Sequence, residues 1–337
     1  MIMSCHVKGK SVTSAFIKTL ELIEKKGLTE HSRNGDVISL SKPLMVEFTN
    51  PMNRVLYSPL RDANPFFHLF ESLWMLAGRN DVAFIKQFNS NIGNYSDNGV
   101  TFHGAYGHRW RHHFNRLTHG TYVLLDQIKG VVNILKKDPC SRRAIIAMWD
   151  PSSDLNKEGK DLPCNTHIYF RVDLGKLNMT VCNRSNDIIW GLFGANAVHM
   201  SFLHEYVCSK VGVEVGSYYQ ITNNAHIYTN LLKEKGWNIR GLVEDLGKTK
   251  NTAHEVTPIG DADVFYSDLR QLFMEGDPKY QSEFFVRIVA PLLDTWQFYK
   301  KCGSPALAVA HLTDNYPLSL DIDWVVAGLE WLERRVK

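Results

Sequence analysis

Apolar residues recur along the chain at two spacings, one typical of helices and one typical of strands. Apolar side chains fill most positions of residues 65–77, which predicts a buried helix that ends at Gly78. Residues 11–26 carry apolar side chains at helical spacing before Gly27, which predicts an amphipathic helix. The same periodicity predicts further helices over residues 122–137, 195–211 and 226–235.

Alternation of apolar and polar residues predicts the strands. Residues 167–172 and 177–182 alternate on either side of a polar turn, which predicts a β-hairpin. Further strands are predicted over residues 37–40, 143–149 and 217–222. Residues 89–107 are rich in Asn, Gly and Ser and predict a long loop, and loops of that length inside a compact domain are usually functional.

The pattern changes after residue 244. Residues 245–261 are polar and predict a loop. Helices are then predicted over residues 264–275, 283–301 and 324–335. Helices and strands mix without regular alternation, so the chain is predicted to be α+β rather than a doubly wound sheet. We expect residues 1–244 to form one domain and residues 245–337 a mostly helical extension packed on it.

Composition excludes several classes of protein. The 337 residues are 44% hydrophobic and 22% charged, with a net charge of +3, which gives no electrostatic basis for a stable nucleic-acid or membrane partner. The cysteines are scattered and contain no Cys-x-x-Cys pair, which argues against a metal site and a disulfide framework. They are Cys5, Cys140, Cys164, Cys182, Cys208 and Cys302. A reducing compartment, the cytoplasm, is therefore expected.

Cys164 is the candidate nucleophile. It lies directly ahead of the first strand of the predicted hairpin, and the anion-binding pattern Arg184-Ser185 follows the second strand. A thiolate forms at neutral pH when positive charge lies nearby, so this arrangement indicates attack on a phosphorylated molecule. The alternative is that Cys164 is a small buried hydrophobic residue.

Arginines at turns and strand starts form a candidate phosphate site. Arg33, Arg142, Arg143 and Arg184 each lie near a serine, and guanidinium groups match phosphate geometry. Each could instead be a solvated surface residue. The adjacent pair Arg142-Arg143 is harder to explain that way, because it opens an otherwise apolar strand.

Three further polar residues suggest chemistry. Glu71 interrupts an apolar helix, so it either points to water or is buried and moves protons. His226 and Tyr228 follow a turn and could hold a sugar hydroxyl, although a capped helix start explains them equally well.

Motifs in a fixed order resemble the thymidylate synthase superfamily, including its nucleotide hydroxymethylase branch. The resemblance spans about residues 10–240. The motifs are Arg33-Asn34-Gly35, Glu71-Ser72-Leu73-Trp74, Tyr106-Gly107-x-Arg109-Trp110, Ser141-Arg142-Arg143, Pro163-Cys164, Arg184-Ser185-Asn186-Asp187 and His226-Ile227-Tyr228. The resemblance implies a large mixed β-sheet flanked by helices, a sheet-to-sheet homodimer, and a catalytic domain within residues 1–244.

The same resemblance implies a role for each motif residue. Cys164 would attack C6 of a pyrimidine nucleoside monophosphate, Glu71 would organise water and proton transfer, and Tyr106 would help to remove the C5 proton. The nucleotide ligands would be Arg33, Arg184, Ser185, His226 and Tyr228, with Arg142 and Arg143 supplied by the other subunit. Asp187 and Trp74 would contact the one-carbon donor, 5,10-methylenetetrahydrofolate.

Three departures from the synthases favour addition of water over formation of a methyl group. Residues 89–95 lack the tryptophan that shields the intermediate, and the chain ends without the synthase tail. Asn165 follows the nucleophile where synthases have histidine, which resembles the deoxycytidylate hydroxymethylases of phages, and a phage-encoded enzyme would work in the host cytoplasm.

The base-reading residue also departs from the synthases. Ala195 stands where they carry an asparagine that reads uracil, and Asn196 takes over that reading if the helix start is displaced by one residue. The sequence therefore favours a dCMP hydroxymethylase. A dUMP hydroxymethylase and a thymidylate synthase that forms dTMP are the alternatives, and a non-catalytic nucleotide- or RNA-binding relative is the rival from another class.

Overall fold

A six-stranded mixed sheet forms the centre of the computed structural model, which describes residues 5–248 and 254–336. The strands are β1 (Cys5–Gly9), β2 (Leu28–Ser32), β3 (Gly35–Ser39), β4 (Leu44–Phe48), β5 (Arg116–Thr118), β6 (Thr121–Val123), β7 (Ile145–Ala147), β8 (Asn165–Asp173), β9 (Lys176–Asn183), β10 (Asn186–Asp187), β11 (Glu214–Thr222) and β12 (Ala225–Tyr228). The central sheet has the order β1-β4-β11-β9-β8-β7. A four-stranded sheet has the order β10-β12-β3-β2, and β5 pairs with β6.

Helices flank these sheets, as the sequence predicts for an α+β protein. They are α1 (Val12–Lys26), α2 (Pro65–Leu76), α3 (Val82–Lys86), α4 (Tyr106–Arg111), α5 (Gln127–Lys137), α6 (Pro151–Asp154), α7 (Ala197–Val211), α8 (Thr229–Lys235), α9 (Ile239–Lys248), α10 (Ala262–Leu272), α11 (Ala290–Cys302), α12 (Pro305–Asn315) and α13 (Asp323–Glu333). Ile188–Asn196 and Phe285–Val289 are π-helical turns that lead into α7 and α11. None of the described helices is long and apolar enough to cross a membrane.

Local chemistry explains why the predicted elements begin and end where they do. Ser11 caps α1 by accepting the backbone N–H of Ser14 at 3.1 Å, and α2 starts after Asn64, whose side chain accepts the N–H of Phe67 at 3.1 Å. In the β8–β9 hairpin, Leu174 and Gly175 both have positive φ, 49° and 77°, as a tight hairpin turn requires. The predicted helices at residues 11–26 and 65–77 and the predicted hairpin are confirmed.

The structure corrects several predicted boundaries. Residues 121–123 belong to β6, because they pair with β5, so the helix predicted over residues 122–137 starts only at Gln127. The predicted loop 89–107 contains a 3-10 turn over Ser90–Tyr95 and ends where α4 begins at Tyr106.

Two predictions near the C-terminal half are corrected as well. His226 and Tyr228 lie in β12, since backbone pairing with β3 fixes them as extended, and the helix predicted from residue 226 starts at Thr229. Helix α9 extends into the loop predicted at residues 245–261, of which residues 249–253 lie outside the described residues. Helix α12 was not predicted, whereas α10, α11 and α13 match the predicted helices closely.

Helix α7 is buried along most of its length between the central sheet and α2. On its other side, α2 packs against the C-terminal helices, where the Phe66 ring lies 5.0 Å from that of Trp296 and 5.7 Å from that of Trp331. These aromatic contacts bury a large apolar area, which holds α2 in place. The helices after residue 254 thus support the helix that carries Glu71.

Candidate functional site

One end of the central sheet gathers the candidate residues. Cys164 directly precedes β8, and Arg184 directly follows the antiparallel strand β9. The Arg184 backbone N–H donates to the Cys164 carbonyl at 2.9 Å. Its guanidinium donates to the carbonyl oxygens of Pro163 at 3.0 Å and Leu162 at 3.3 Å. Arg184 therefore fixes the loop that carries Cys164, the candidate nucleophile, and is itself exposed to solvent.

Cys164 as a whole residue is half-buried. Burial raises its pKa, and the Arg184 guanidinium offsets only part of that effect. The Asp161 carboxylate also raises the pKa of Cys164, whereas the Tyr106 hydroxyl, which hydrogen-bonds to the sulfur, lowers it. The expectation that nearby arginines hold Cys164 as a thiolate at neutral pH is therefore not met in the protein without ligand, because desolvation is the larger effect.

Tyr106 reaches Cys164 from the first turn of α4. Burial, followed by the charge on Cys164, holds the pKa of Tyr106 well above its ordinary value, so the phenol keeps its proton. The Gly104 backbone N–H donates to the Asp161 carboxylate at 2.8 Å, which ties the Tyr106 loop to the Cys164 loop. Tyr106 can thus act as a neutral hydrogen-bond donor beside the sulfur.

Asn165 and Asn196 lie next to one another behind Cys164. Both are buried, and the Asn165 Nδ2 donates to the Asn196 Oδ1 at 3.4 Å. Asn196 ends the π-helical turn that leads into α7. A π turn inserts one residue into a helix and often occurs at functional sites. This turn is compatible with the prediction that Asn196, rather than Ala195, reads the base.

Glu71 has a partner that the sequence analysis missed. Its Oε2 lies 3.1 Å from the Nε2 of His199, a buried residue of α7. His68, one turn before Glu71, is also buried, and burial holds its pKa well below the ordinary value. The signal for His199 was a polar residue inside an apolar helix, the same signal that identified Glu71.

The second sheet brings together the residues predicted to bind the sugar of the nucleotide and the one-carbon donor. Parallel pairing of β10 with β12 sets Asp187 opposite His226, and the His226 and Tyr228 rings lie 5.0 Å apart. Burial raises the pKa of Asp187. Its Oδ2 accepts the backbone N–H of Trp190 at 2.6 Å, while its Oδ1 has no hydrogen-bond partner among the described residues. Trp190, which the sequence analysis also missed, is 41% exposed beside it.

Other predicted site residues lie at the margins of this group. Ser185 is half-buried between Arg184 and β10, and Arg33 is exposed in the turn between β2 and β3, near the end of β12. Trp74 is 4% exposed, and its indole N–H donates to Asp81 at 3.2 Å. Trp74 therefore lies in the core, and a direct contact with a donor molecule would require it to move.

Arg142 and Arg143 are not brought to Cys164 within one chain. They are exposed and precede β7, an edge strand whose Ile145 pairs with Tyr169 of β8. Cys164 precedes the other end of β8, so the arginines lie roughly 20 Å or more away along the strands. This placement is compatible with the prediction that they serve a neighbouring subunit.

The chain is similar to a protein family and to several known proteins. A family model described as "Thymidylate synthase" matches residues 14–247. A "Deoxyuridylate hydroxymethyltransferase" of Pseudomonas phage M6 is 40% identical over 98% of this chain and 94% of its own length. Proteins of the same name from Bacillus phage SP01 and Delftia phage PhiW-14 are 42% and 28% identical over 65% and 66% of this chain, and 58% and 62% of their own lengths.

Proposed function

Because the protein belongs to the thymidylate synthase family and is a one-carbon transferase, we propose that it is a hydroxymethyltransferase that converts dUMP to 5-hydroxymethyl-dUMP. The observation that carries the proposal is the partly exposed Cys164, fixed by Arg184 and Tyr106 in front of the buried Asn165–Asn196 pair. A thiol, a cation and a pair of amides can activate and orient a pyrimidine nucleotide.

The nucleotide is activated by the sulfur. The Cys164 thiolate adds to C6 of the ring, which turns C5 into a nucleophile that takes up the one-carbon unit. Arg184 and Ser185, with Arg33 and the partner-supplied Arg142 and Arg143, hold the 5′-phosphate, and His226 with Tyr228 holds the sugar hydroxyl. Tyr106 donates a hydrogen bond at the sulfur and assists loss of the C5 proton.

Residues of the second sheet fit the one-carbon donor, 5,10-methylenetetrahydrofolate. The Asp187 Oδ1, which lacks a partner in the part of the chain that the structure describes, can accept N–H groups of a pterin. The exposed Trp190 ring beside it offers an aromatic surface for a flat ligand. The donor supplies carbon at the oxidation level of formaldehyde.

Water then determines the product. Loss of the C5 proton and release of tetrahydrofolate leave a methylene group on C5. The Glu71 carboxylate, whose Oε2 lies 3.1 Å from the Nε2 of His199, accepts a proton from the water molecule that adds to this methylene group, and departure of Cys164 from C6 restores the ring. This gives a hydroxymethyl group, whereas a methyl group would need a hydride at the same carbon. The absence of a shielding tryptophan in residues 89–95 supports entry of water.

Two observations support uracil as the base, although the sequence analysis favoured cytosine. The three phage relatives are named for deoxyuridylate, and Asn196 supplies a buried carboxamide at the position displaced by the π turn. Ala195, where synthases have asparagine, keeps dCMP as the second candidate.

Product mass tests the proposal. The protein is incubated with methylenetetrahydrofolate and dUMP, dCMP or CMP, and each nucleotide product is weighed. We expect dUMP to gain one hydroxymethyl group. A methyl product would overturn the hydroxymethylase assignment, and modification of dCMP in preference to dUMP would overturn the proposed base. Tritium release from C5 identifies the activated base even when turnover stalls.

A further inference from the structure

A line of buried side chains runs from the middle of β11 to the candidate base-reading residue. All of its members are at most 4% exposed. In order they are Tyr218, Gln220, Asn183, Asn165, Asn196 and Asn186. We call this line the amide relay. Three members belong to the motifs on which the family resemblance and the base assignment rest, namely Asn165, Asn196 and Asn186. The other three members of the relay need a separate explanation.

Every hydrogen bond in the amide relay points in the same direction. The Tyr218 hydroxyl donates to the Gln220 Oε1, and the Gln220 Nε2 donates to the Asn183 Oδ1 at 3.0 Å. The Asn183 Nδ2 donates to the Asn165 Oδ1. From there the Asn165 Nδ2 donates to Asn196 at 3.4 Å, and the Asn196 Nδ2 donates to the Asn186 Oδ1 at 3.1 Å.

This common direction couples the orientations of the amides. A carboxamide accepts at its oxygen and donates at its nitrogen, so turning one member alone would set oxygen against oxygen and nitrogen against nitrogen. Such mismatches leave buried polar atoms unpaired, which is unfavourable where water cannot replace the lost partner. The Asn196 amide can therefore turn only if the members upstream of it turn too.

The upstream end of the relay is a fixed donor. Burial keeps the pKa of Tyr218 well above its ordinary value, so the phenol carries its proton and can donate to Gln220. At the downstream end, the Asn186 Nδ2 is buried and has no hydrogen-bond partner among the described residues. A nucleotide oxygen or a water molecule that accepts this N–H would complete the relay.

We propose that Tyr218 and Gln220 are positioning residues that set base specificity by fixing the orientation of the Asn196 amide. Uracil presents N3–H as a donor beside the O4 acceptor, whereas cytosine presents the N3 acceptor beside an N4–H donor. One orientation of a carboxamide pairs with one of these edges, and the opposite orientation pairs with the other. The inference rests on the proposed function, in which Asn196 reads the base.

The test compares two substrates in variants that interrupt the relay at its upstream end. Tyr218→Phe removes only the terminal hydroxyl, and Gln220→Met removes the first amide at similar size. Tyr219→Phe is the matched control, because successive side chains of a strand point to opposite faces and Tyr219 therefore lies on the face of β11 opposite to Tyr218 and Gln220. The measured quantity is the ratio of kcat/KM for dUMP to kcat/KM for dCMP, with thermal unfolding to confirm that each variant folds.

We expect the ratio to shrink roughly 10- to 100-fold in both relay variants, since one fixed buried hydrogen bond provides discrimination of that order. The ratio should stay unchanged in Tyr219→Phe. General structural damage would lower both activities and leave the ratio intact, so an unchanged ratio in Tyr218→Phe and Gln220→Met overturns the inference.

The substrate preference of the wild-type protein tests the proposed function and not the relay. If wild type prefers dCMP, the proposed substrate fails, yet the relay is still tested by whether that preference shrinks in the variants. If wild type converts neither nucleotide, dissociation constants for dUMP and dCMP, measured without the folate by titration calorimetry, give the same ratio. Equal ratios in wild type and relay variants would again count against the relay.

Discussion

At the scale of single residues, burial favours the thiol form of Cys164, the proposed nucleophile. Desolvation outweighs the attraction of Arg184, so the resting Cys164 carries its proton over most of the neutral range. Tyr106, also protonated, offers the hydrogen bond that a thiolate needs. The site is therefore prepared to stabilise a charged sulfur without maintaining one.

The pH dependence of alkylation follows from this pKa. Because the pKa of Cys164 lies above its ordinary value, the rate of its reaction with iodoacetamide should rise about tenfold per pH unit through pH 7–8.5 without levelling off. Arg184→Gln removes the charged group that lowers the pKa of Cys164 most and should slow the reaction at each of these pH values. Mass spectrometry follows the Cys164 peptide, with the exposed Cys140 as an internal reference. A plateau below pH 8 would contradict the prediction.

Glu71 gives the second prediction at this scale. Glu71→Gln keeps the shape of the side chain but removes the base that accepts a proton from water, so turnover should fall roughly 10²- to 10⁴-fold. The dissociation constant for dUMP should stay within about threefold, because Glu71 is expected to act after binding. Steady-state kinetics and calorimetry measure the two effects, and Glu21→Gln on the exposed side of α1 is the matched control. Loss of binding equal to the loss of turnover would contradict this role.

At the scale of elements, α7 is held by a buried ion pair as well as by apolar packing. The Arg54 guanidinium lies 2.6 Å from the Glu205 carboxylate and stacks over the Phe202 ring at 3.6 Å. The other Glu205 oxygen accepts the backbone N–H of Ile259 at 2.6 Å. Glu205 thus joins α7 to two distant stretches of chain and fixes the helix whose first turn carries His199.

Glu205→Gln should therefore destabilise the fold strongly. Removing one partner of a buried ion pair leaves an uncompensated charge and typically costs about 3–5 kcal/mol in free energy of unfolding. Glu214→Gln, which disturbs the exposed Lys176–Glu214 pair, should cost less than about 1 kcal/mol. Guanidinium denaturation measures the free energy of unfolding of both variants. If both variants lose a similar amount, the buried Arg54–Glu205 pair contributes no more to stability than the exposed pair does.

At the scale of the whole molecule, the two faces of the central sheet differ in how deeply their side chains are buried along β11. Helices α1, α5 and α7 pack on the sheet, and along β11 the residues facing them are buried while the alternating residues are only half-buried. Ile145 and Tyr169, paired across β7 and β8, are each 41% exposed. These exposed side chains support the proposed sheet-to-sheet homodimer, which would carry Arg142 and Arg143 to the partner's site.

Mixing two inactive variants tests this sharing. Cys164→Ser lacks the nucleophile, and the double variant Arg142→Ala/Arg143→Ala lacks the predicted trans arginines. If the arginines act across the interface, a mixed dimer contains one site with both an intact cysteine and intact arginines, so activity should return on mixing. Activity is measured after joint refolding, with each variant refolded alone as the control. Failure to recover activity, although mixed dimers form, would show that the arginines act within their own subunit.

The sequence was a good guide where local periodicity and motif residues carried the information, and a poorer one where pairing decided the outcome. It gave the helices at residues 11–26 and 65–77 and the β8–β9 hairpin. It assigned His226 and Tyr228 to a helix, because their strand exists only through its pairing with β3 and β10. His199 was missed because a partner for Glu71 becomes visible only when α2 and α7 pack together.

The amino-acid sequence by itself determined the family, and it supplied the candidate nucleophile and most of the candidate nucleotide ligands, because these depend on residue type and order. Tertiary structure decided the surroundings of those residues. Burial raises the pKa of Cys164, and packing of α7 against α2 brings His199 to Glu71. Asn196, at the end of a π turn, accepts a hydrogen bond from Asn165. The tertiary structure also revealed the amide relay, whose members are 2 to 37 positions apart between neighbours. Hydrogen-bond direction is a property of packed neighbours, and no spacing along the chain encodes it.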